Sequence, residues 1–217
     1  MTEEQVELLK WWVNEGAPFD KRVSHVNVPG EVKAILTKLV DPGAGQSEVQ
    51  KLLASKADPV NEQALMQFQT KGISIEPLSD EIHWLQADVA PFVAADSLLA
   101  ALTPLSAEIT WLSLAATSTT DDGLSNVGKF RYLTRLHVGN TAITDVGLKH
   151  LQDLGYLESL NLYGTRISDK GLQYLSNLKN LRKLYVWKTN VTPEGVAALK
   201  KSLPQLEVNV GSEVTSK

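Results

Sequence analysis

The chain has 217 residues, 43% of them hydrophobic and 21% charged, with a formal net charge of −4. This is an ordinary globular balance with room for one or two domains, and it argues against a nucleic-acid binder, whose footprint is a basic patch or stripe. Cysteine is absent, which excludes disulfides, thiol catalysis, iron–sulfur ligation and haem attachment through C-x-x-C-H. No run of about 18 apolar residues exists, so no membrane insertion by this segment is expected; the most apolar stretch, 89–105, is broken by Pro91, Asp96 and Pro104.

In chain order, the first expected element is a helix over Thr2–Asn14, within a segment 1–18. Thr2 and Gln5 can form a capping box, Val6, Leu9 and Val13 make an apolar stripe, and Gly16 stops it. No secretory signal precedes this helix. The stretch TEEQVELLKWWVNEGAPF, above all Trp12 and the Gly16-Ala17 ending, resembles the last helix of c-type cytochrome domains in large bacterial membrane-anchored proteins. The resemblance implies that Met1 opens a piece of a longer polypeptide, that haem is possible in that parent although no cofactor is expected in this chain, and that the location is periplasmic or cell-envelope. An ordinary amphipathic helix is the alternative.

Residues 19–78 read as a helical cap and linker. Pro29-Gly30 precedes a helix over about Glu31–Leu39, and Asp41-Pro-Gly-Ala-Gly45 is turn-rich. Ser47 caps a second short helix, with Gln50 at the capping-box position. A third opens at Asp58-Pro59 and ends at Gly72, and Ile73–Leu78 has strand character. Such a region would close one end of a solenoid built from repeats.

The repeats occupy 79–211, with 212–217 as a disordered tail. Segments starting at Ile109, Leu133 (LTRLHVGNTAITDVGLKHLQDL), Leu157 (LESLNLYGTRISDKGLQYLSNL) and Leu181 lie 24 residues apart. The same step relates Leu112, Leu136, Leu160 and Leu184. An irregular copy begins near Ile82, and a last strand is expected at Leu206–Val210. The L-x-L core alternates with period 2, so it is a strand with one buried face; the following G-L-x-x-L has helical spacing. A single strand–turn–helix unit cannot bury its apolar face, but stacking closes it against its neighbours, with parallel strands joined by right-handed crossovers. Thr144, Ser168 and Thr192 stand at N-cap positions. Asp145 and Asp169 place negative charge at helix starts, and Pro193 takes the first-turn position in the last copy. Gly147, Gly171 and Gly195 suit close approach between stacked helices.

These in-register copies resemble the leucine-rich-repeat superfamily, in its ribonuclease-inhibitor-like class with I-T-D-x-G-L segments. The expected fold class is α/β: a right-handed leucine-rich-repeat solenoid with parallel strands on the concave face and helices outside, preceded by a mainly helical cap. At the position where the commonest consensus has Asn or Cys, this sequence has Thr117, Thr141, Thr165 and Thr189, expected to form a structural ladder bonding loop amides.

The resemblance implies a non-catalytic scaffold for protein–protein interaction within a larger envelope protein, or else a spacer or docking arm of a haem-containing electron-transfer protein. Residues beside the buried leucines point from the concave sheet, and the candidates for holding a protein or peptide partner are Trp84, Trp111, Arg135, His137, Asn161, Tyr163, Lys183, Tyr185 and Trp187. Aromatic and Arg side chains are enriched at binding hot spots; space-filling between strands is the alternative. His25, His83, His137 and His150 form no zinc-ligand pair. Asp121, Asp122, Asp145 and Asp169 are better explained by helix starts than by an acid pair or calcium, and no catalytic residues are expected.

Overall fold

A computed structural model describes residues 47–211, apart from 56, 58, 61, 80 and 81. The chain divides into units Met1–Gln46 and Ser47–Lys217, and every described residue belongs to the second. The helices expected over Thr2–Asn14 and Glu31–Leu39, the cytochrome-like stretch and the tail from 212 lie outside the described residues.

The described part opens with α1 (Glu48–Ala54). Ser47 caps it: its hydroxyl accepts from the Gln50 amide, and the Gln50 side chain accepts from the Ser47 amide at 2.9 Å. α2 (Glu62–Gln69) follows and runs into Gly72, whose φ of 81° turns the chain into β1 (Ile73–Ser79). β1 returns as β2 (Ile82–Val89), paired antiparallel. The connection between them is too short for a crossover, so the parallel arrangement is not available to this pair.

From β2 onward every strand is parallel to its neighbour. The units are β2 with α3 (Ala95–Leu102), β3 (Ile109–Ser113) with α4 (Asp121–Val127), β4 (Arg135–His137) with α5 (Asp145–Leu148), β5 (Ser159–Asn161) with α6 (Asp169–Leu172), and β6 (Lys183–Tyr185) with α7 (Pro193–Ser202). β7 (Glu207–Asn209) closes a seven-stranded sheet whose spatial order is the chain order. The register follows the repeat: Leu112 pairs with Leu136, Leu136 with Leu160, Leu160 with Leu184 and Leu184 with Val208. This is the α/β solenoid of stacked strand–turn–helix units.

One continuous core lies between sheet and helices. Strand leucines such as Leu136 and Leu160 meet Leu148, Leu151, Leu172 and Leu175 from the helical turns, all essentially buried. The helical turns are minimal: α5 and α6 each make one turn and tighten into a 3-10 turn at Lys149–Leu151 and Gln173–Leu175. Isolated helices this short are unstable in water, so the shared core holds them.

A second set of bonds ties each unit to the next. The Asp145 carboxylate accepts from both the Ser168 amide, at 2.7 Å, and the Ser168 hydroxyl, at 2.5 Å. Asp121 does the same for Thr144, Asp169 for Thr192 and Asp96 for Thr120. The capping hydroxyls of Thr144, Ser168 and Thr192 also accept from amides of their own helices. The aspartates at the helix starts therefore serve the following repeat. This also explains the recurring glycine. A methyl group at Gly147 would run into the Asp121 carboxylate, and one at Gly171 into that of Asp145; the close approach is by a carboxylate of the preceding unit.

The turn after each strand repeats too. Phe92, Ala116, Asn140, Gly164 and Lys188, 24 residues apart, have φ of 65°, 56°, 57°, 67° and 54°. The left-handed row thus begins at Phe92, inside the copy that looked irregular. Only one of the five is glycine, and a left-handed residue bearing Cβ costs about 1–2 kcal/mol. Ala116→Gly is therefore expected to stabilise the protein by about 0.5–1 kcal/mol, measured as a higher urea midpoint at unchanged slope.

Candidate functional face

The side chains opposite the leucine core form a grid that the register aligns. One row runs Gln86, Trp111, Arg135, Ser159, Lys183 and Glu207. The next runs Asp88, Ser113, His137, Asn161, Tyr185 and Asn209. Arg135, Lys183 and Glu207 are exposed, and Trp111, His137, Ser159, Asn161 and Tyr185 are half-buried. Trp111, Arg135, His137, Ser159, Asn161 and Tyr185 line a shallow depression of about 400 Å³ that reaches from Gln86 and Asp88 to Tyr185. Eight of the nine expected partner-binding residues lie in this grid or on its rim.

Trp84 is the correction. It is buried, and its indole N–H donates to the carbonyls of Leu52 (3.1 Å) and Ser55 (2.9 Å) at the end of α1. Its ring packs against Tyr132 at 5.7 Å, and Tyr132 against Tyr156 at 5.7 Å. α1 covers this end of β2, so Trp84 belongs to the cap's own small core with Leu52 and Ala57. The strict alternation Trp84, Gln86, Asp88 could not reveal this, because the covering element is α1, 29 to 32 residues away along the chain.

On the open face, the Arg135 guanidinium lies 4.1 Å above the Trp111 ring. The Trp111 indole N–H is enclosed and has no hydrogen-bond partner among the described residues. A guanidinium over an aromatic ring uses its face for that contact and keeps its edge N–H donors for a ligand. His137 is half-buried, and burial holds its pKa below the usual imidazole value, opposed by the Asp88 carboxylate; it is a neutral donor–acceptor at pH 7. Asn161 is partly committed to the fold, since its side-chain oxygen accepts from the Tyr163 amide at 2.9 Å.

The rim at the carboxyl ends of β5 and β6 is aromatic. Tyr163 and Trp187 pack at 5.3 Å with ring planes tilted by 47°. The Lys188 ammonium sits 5.4 Å from the first ring and 5.3 Å from the second. Trp187 remains 47% exposed, although Gly211 lies so close that any side chain there would meet the indole. Lys188 was not among the sequence candidates. Its signal was its place in the left-handed row, which puts its side chain back over the aromatic pair.

The four threonines form a structural feature of a different geometry from the amide ladder expected. Each hydroxyl donates to the carbonyl three residues earlier: Thr117 to Leu114 at 2.8 Å, Thr141 to Val138 at 2.7 Å, Thr165 to Leu162 at 2.6 Å and Thr189 to Val186 at 2.6 Å. Amides are bonded in addition only at Thr119 and Val191. Threonine can close a strand-end turn because its hydroxyl both donates and accepts.

Among the described residues, no three His, Asp or Glu side chains gather as metal ligands, and no helix is long and apolar enough to cross a membrane. Residues 131–151 and 156–176 match the family described as "Leucine Rich repeat". No curated protein matches by sequence. Solved structures to which this chain is similar include an internalin (inlF) from Listeria monocytogenes, 24% identical, with a TM-score of 0.43, covering 52% of this chain and 32% of its own. A second Listeria monocytogenes internalin (inlC2) is 24% identical, with a TM-score of 0.38 and coverage of 49% and 46%. The LRR ectodomain of the receptor kinase SOBIR1 from Arabidopsis thaliana is 17% identical, with a TM-score of 0.39 and coverage of 72% and 95%. The chain spans about a third of the length of the inlF internalin, at 32%.

Proposed function

We propose that this leucine-rich-repeat solenoid is a non-catalytic scaffold that holds a protein or peptide partner on its open sheet face, as a module of a larger envelope protein. The observation carrying this reading is the grid itself. Trp111, Arg135, Ser159, Lys183 and Tyr185 stand side by side on four rigid strands, available to a partner and not covered by any described element. Stacked repeats create extended surfaces of this type, and aromatic and Arg side chains are the usual anchors of an interface. Strand mounting fixes their positions before binding, which lowers the ordering cost. The envelope setting is supported by the cytochrome-like stretch Thr2–Phe19, outside the described residues; the docking arm of a haem-containing electron-transfer protein is the alternative role for the same surface.

The test is selection of peptides from a randomised display library against the full chain. The strongest binders are expected to slow amide exchange in β3–β6 and to lose roughly tenfold or more in affinity on Tyr185→Ala. Val146→Ala, on the helical side, is expected to leave affinity unchanged. Binders that protect only α4–α7, or that ignore Tyr185→Ala, would move the site to the other side.

A further inference from the structure

The open face carries a charge pattern opposite in sign to the whole chain. The net charge is −4, yet across β3–β6 and the rim the ionised side chains are Arg135, Lys183 and Lys188, with no carboxylate among them. The acidic groups of the grid sit at its two ends, Asp88 on β2 and Glu207 on β7. Asp88 is moreover turned to Gln86, whose amide donates to it at 2.7 Å. Among the described residues neither Arg135 nor Lys183 has a carboxylate partner; the ion pair present is Lys51–Glu48 on α1. Arg135 is nonetheless held in place over the Trp111 ring, at 4.1 Å.

We infer that the partner presents an extended acidic segment whose carboxylates are taken by Arg135 and by Lys183, with the segment crossing Ser159 between them. This inference rests on the partner-binding reading and gives the partner its chemistry. Arg135 and Lys183 stand two strands apart, about 10 Å, with Ser159 paired to both. Two cations rooted at that separation can each take a carboxylate of one extended segment. A guanidinium fixed on an indole offers its donors without first losing rotamer freedom, and the apolar body of Trp111 lowers the local dielectric, which strengthens the pairing. The neutral Ser159 and Asn161 on the strand between the cations suit a peptide backbone, which alternates donors and acceptors. A nucleic-acid strand carries a phosphate at every nucleotide and would set some against Asp88 or Glu207, whereas a peptide can confine its acidic residues to the centre of the face, so the peptide is the favoured occupant.

The experiment uses the full chain and three fluorescein-labelled nonapeptides. Each alternates alanine with glutamate, glutamine or lysine around one central tyrosine. Fluorescence anisotropy is expected to show the glutamate peptide binding at least about tenfold tighter than the glutamine peptide, with the advantage shrinking as salt rises. Arg135→Gln is expected to remove that advantage and Lys183→Gln to reduce it; both residues are exposed, and circular dichroism verifies that each variant is folded. Equal binding of the glutamate and glutamine peptides would overturn the inference while leaving the scaffold reading intact. So would a preference that survives Arg135→Gln, or failure of all three peptides. A ten-nucleotide oligothymidine that displaces the glutamate peptide at lower concentration would overturn it in favour of phosphate chemistry. Failure of the scaffold reading shows separately, as library binders that do not map to β3–β6.

Discussion

Leu160→Ala is expected to cost about 3 kcal/mol, the middle of the range for removing an isobutyl group from a packed interior. Leu160 has no exposure and stands in register between Leu136 and Leu184. The neighbouring strands are fixed by their own hydrogen bonds, so they cannot collapse into the space left behind. Urea unfolding followed by circular dichroism measures the loss. Because each repeat contacts only its neighbours, amide exchange should accelerate in β4 and β6 as strongly as in β5, and less in β2. A loss under about 1 kcal/mol, below the range for a packed site, would mean that the row of leucines is loosely packed.

Asp145→Ala is expected to cost about 2–3 kcal/mol although Asp145 lies at the surface end of a helix. Its carboxylate accepts the Ser168 amide and hydroxyl at 2.7 and 2.5 Å. Hydrogen bonds to a charged group contribute about 1.5–3 kcal/mol each when sheltered, and these are only partly sheltered, which sets the figure below their sum. Asp122→Ala is the control: Asp122 sits in the first turn of α4 and is exposed, so loss of its charge should change stability by about 0.5 kcal/mol or less. If both substitutions cost the same, the effect is the helix dipole alone, and the link between repeats contributes nothing. The unfolding midpoint in urea separates the two outcomes.

The fold was largely legible because period and register are one property in a solenoid. A spacing of 24 between Leu136, Leu160 and Leu184 becomes a strand pairing once each unit stacks on the last, and Ser47, Thr144, Ser168 and Thr192 announce their caps by residue type. The open face was legible for the same reason: alternation places Arg135, His137 and Lys183 opposite the leucines. Three things were hidden. Trp84 obeys the alternation, but α1 covers it, and no local pattern reports what a distant helix lies against. The aspartates look like helix-end charges within one copy; that they bond the next copy's cap is a long-range fact, hinted at only by the glycine each of them crowds. Lys188 looks like a loop lysine until its left-handed φ of 54° returns it to the rim. The cytochrome-like stretch, by contrast, rests on a short helix with no repeat to support it.

The carboxylate that serves the following cap also makes the chain divisible. Excising residues 145–168 would bring Asp169 directly after Thr144, restoring the Thr-Asp-x-Gly-Leu junction found at Thr144–Leu148. Asp121 would still hold Thr144, and Asp169 would still hold Thr192. Nothing in the joint records which copy was lost. Length is therefore adjustable in whole modules, and a reach of fewer or more strands is available to natural duplication or to a designer without inventing a new seam.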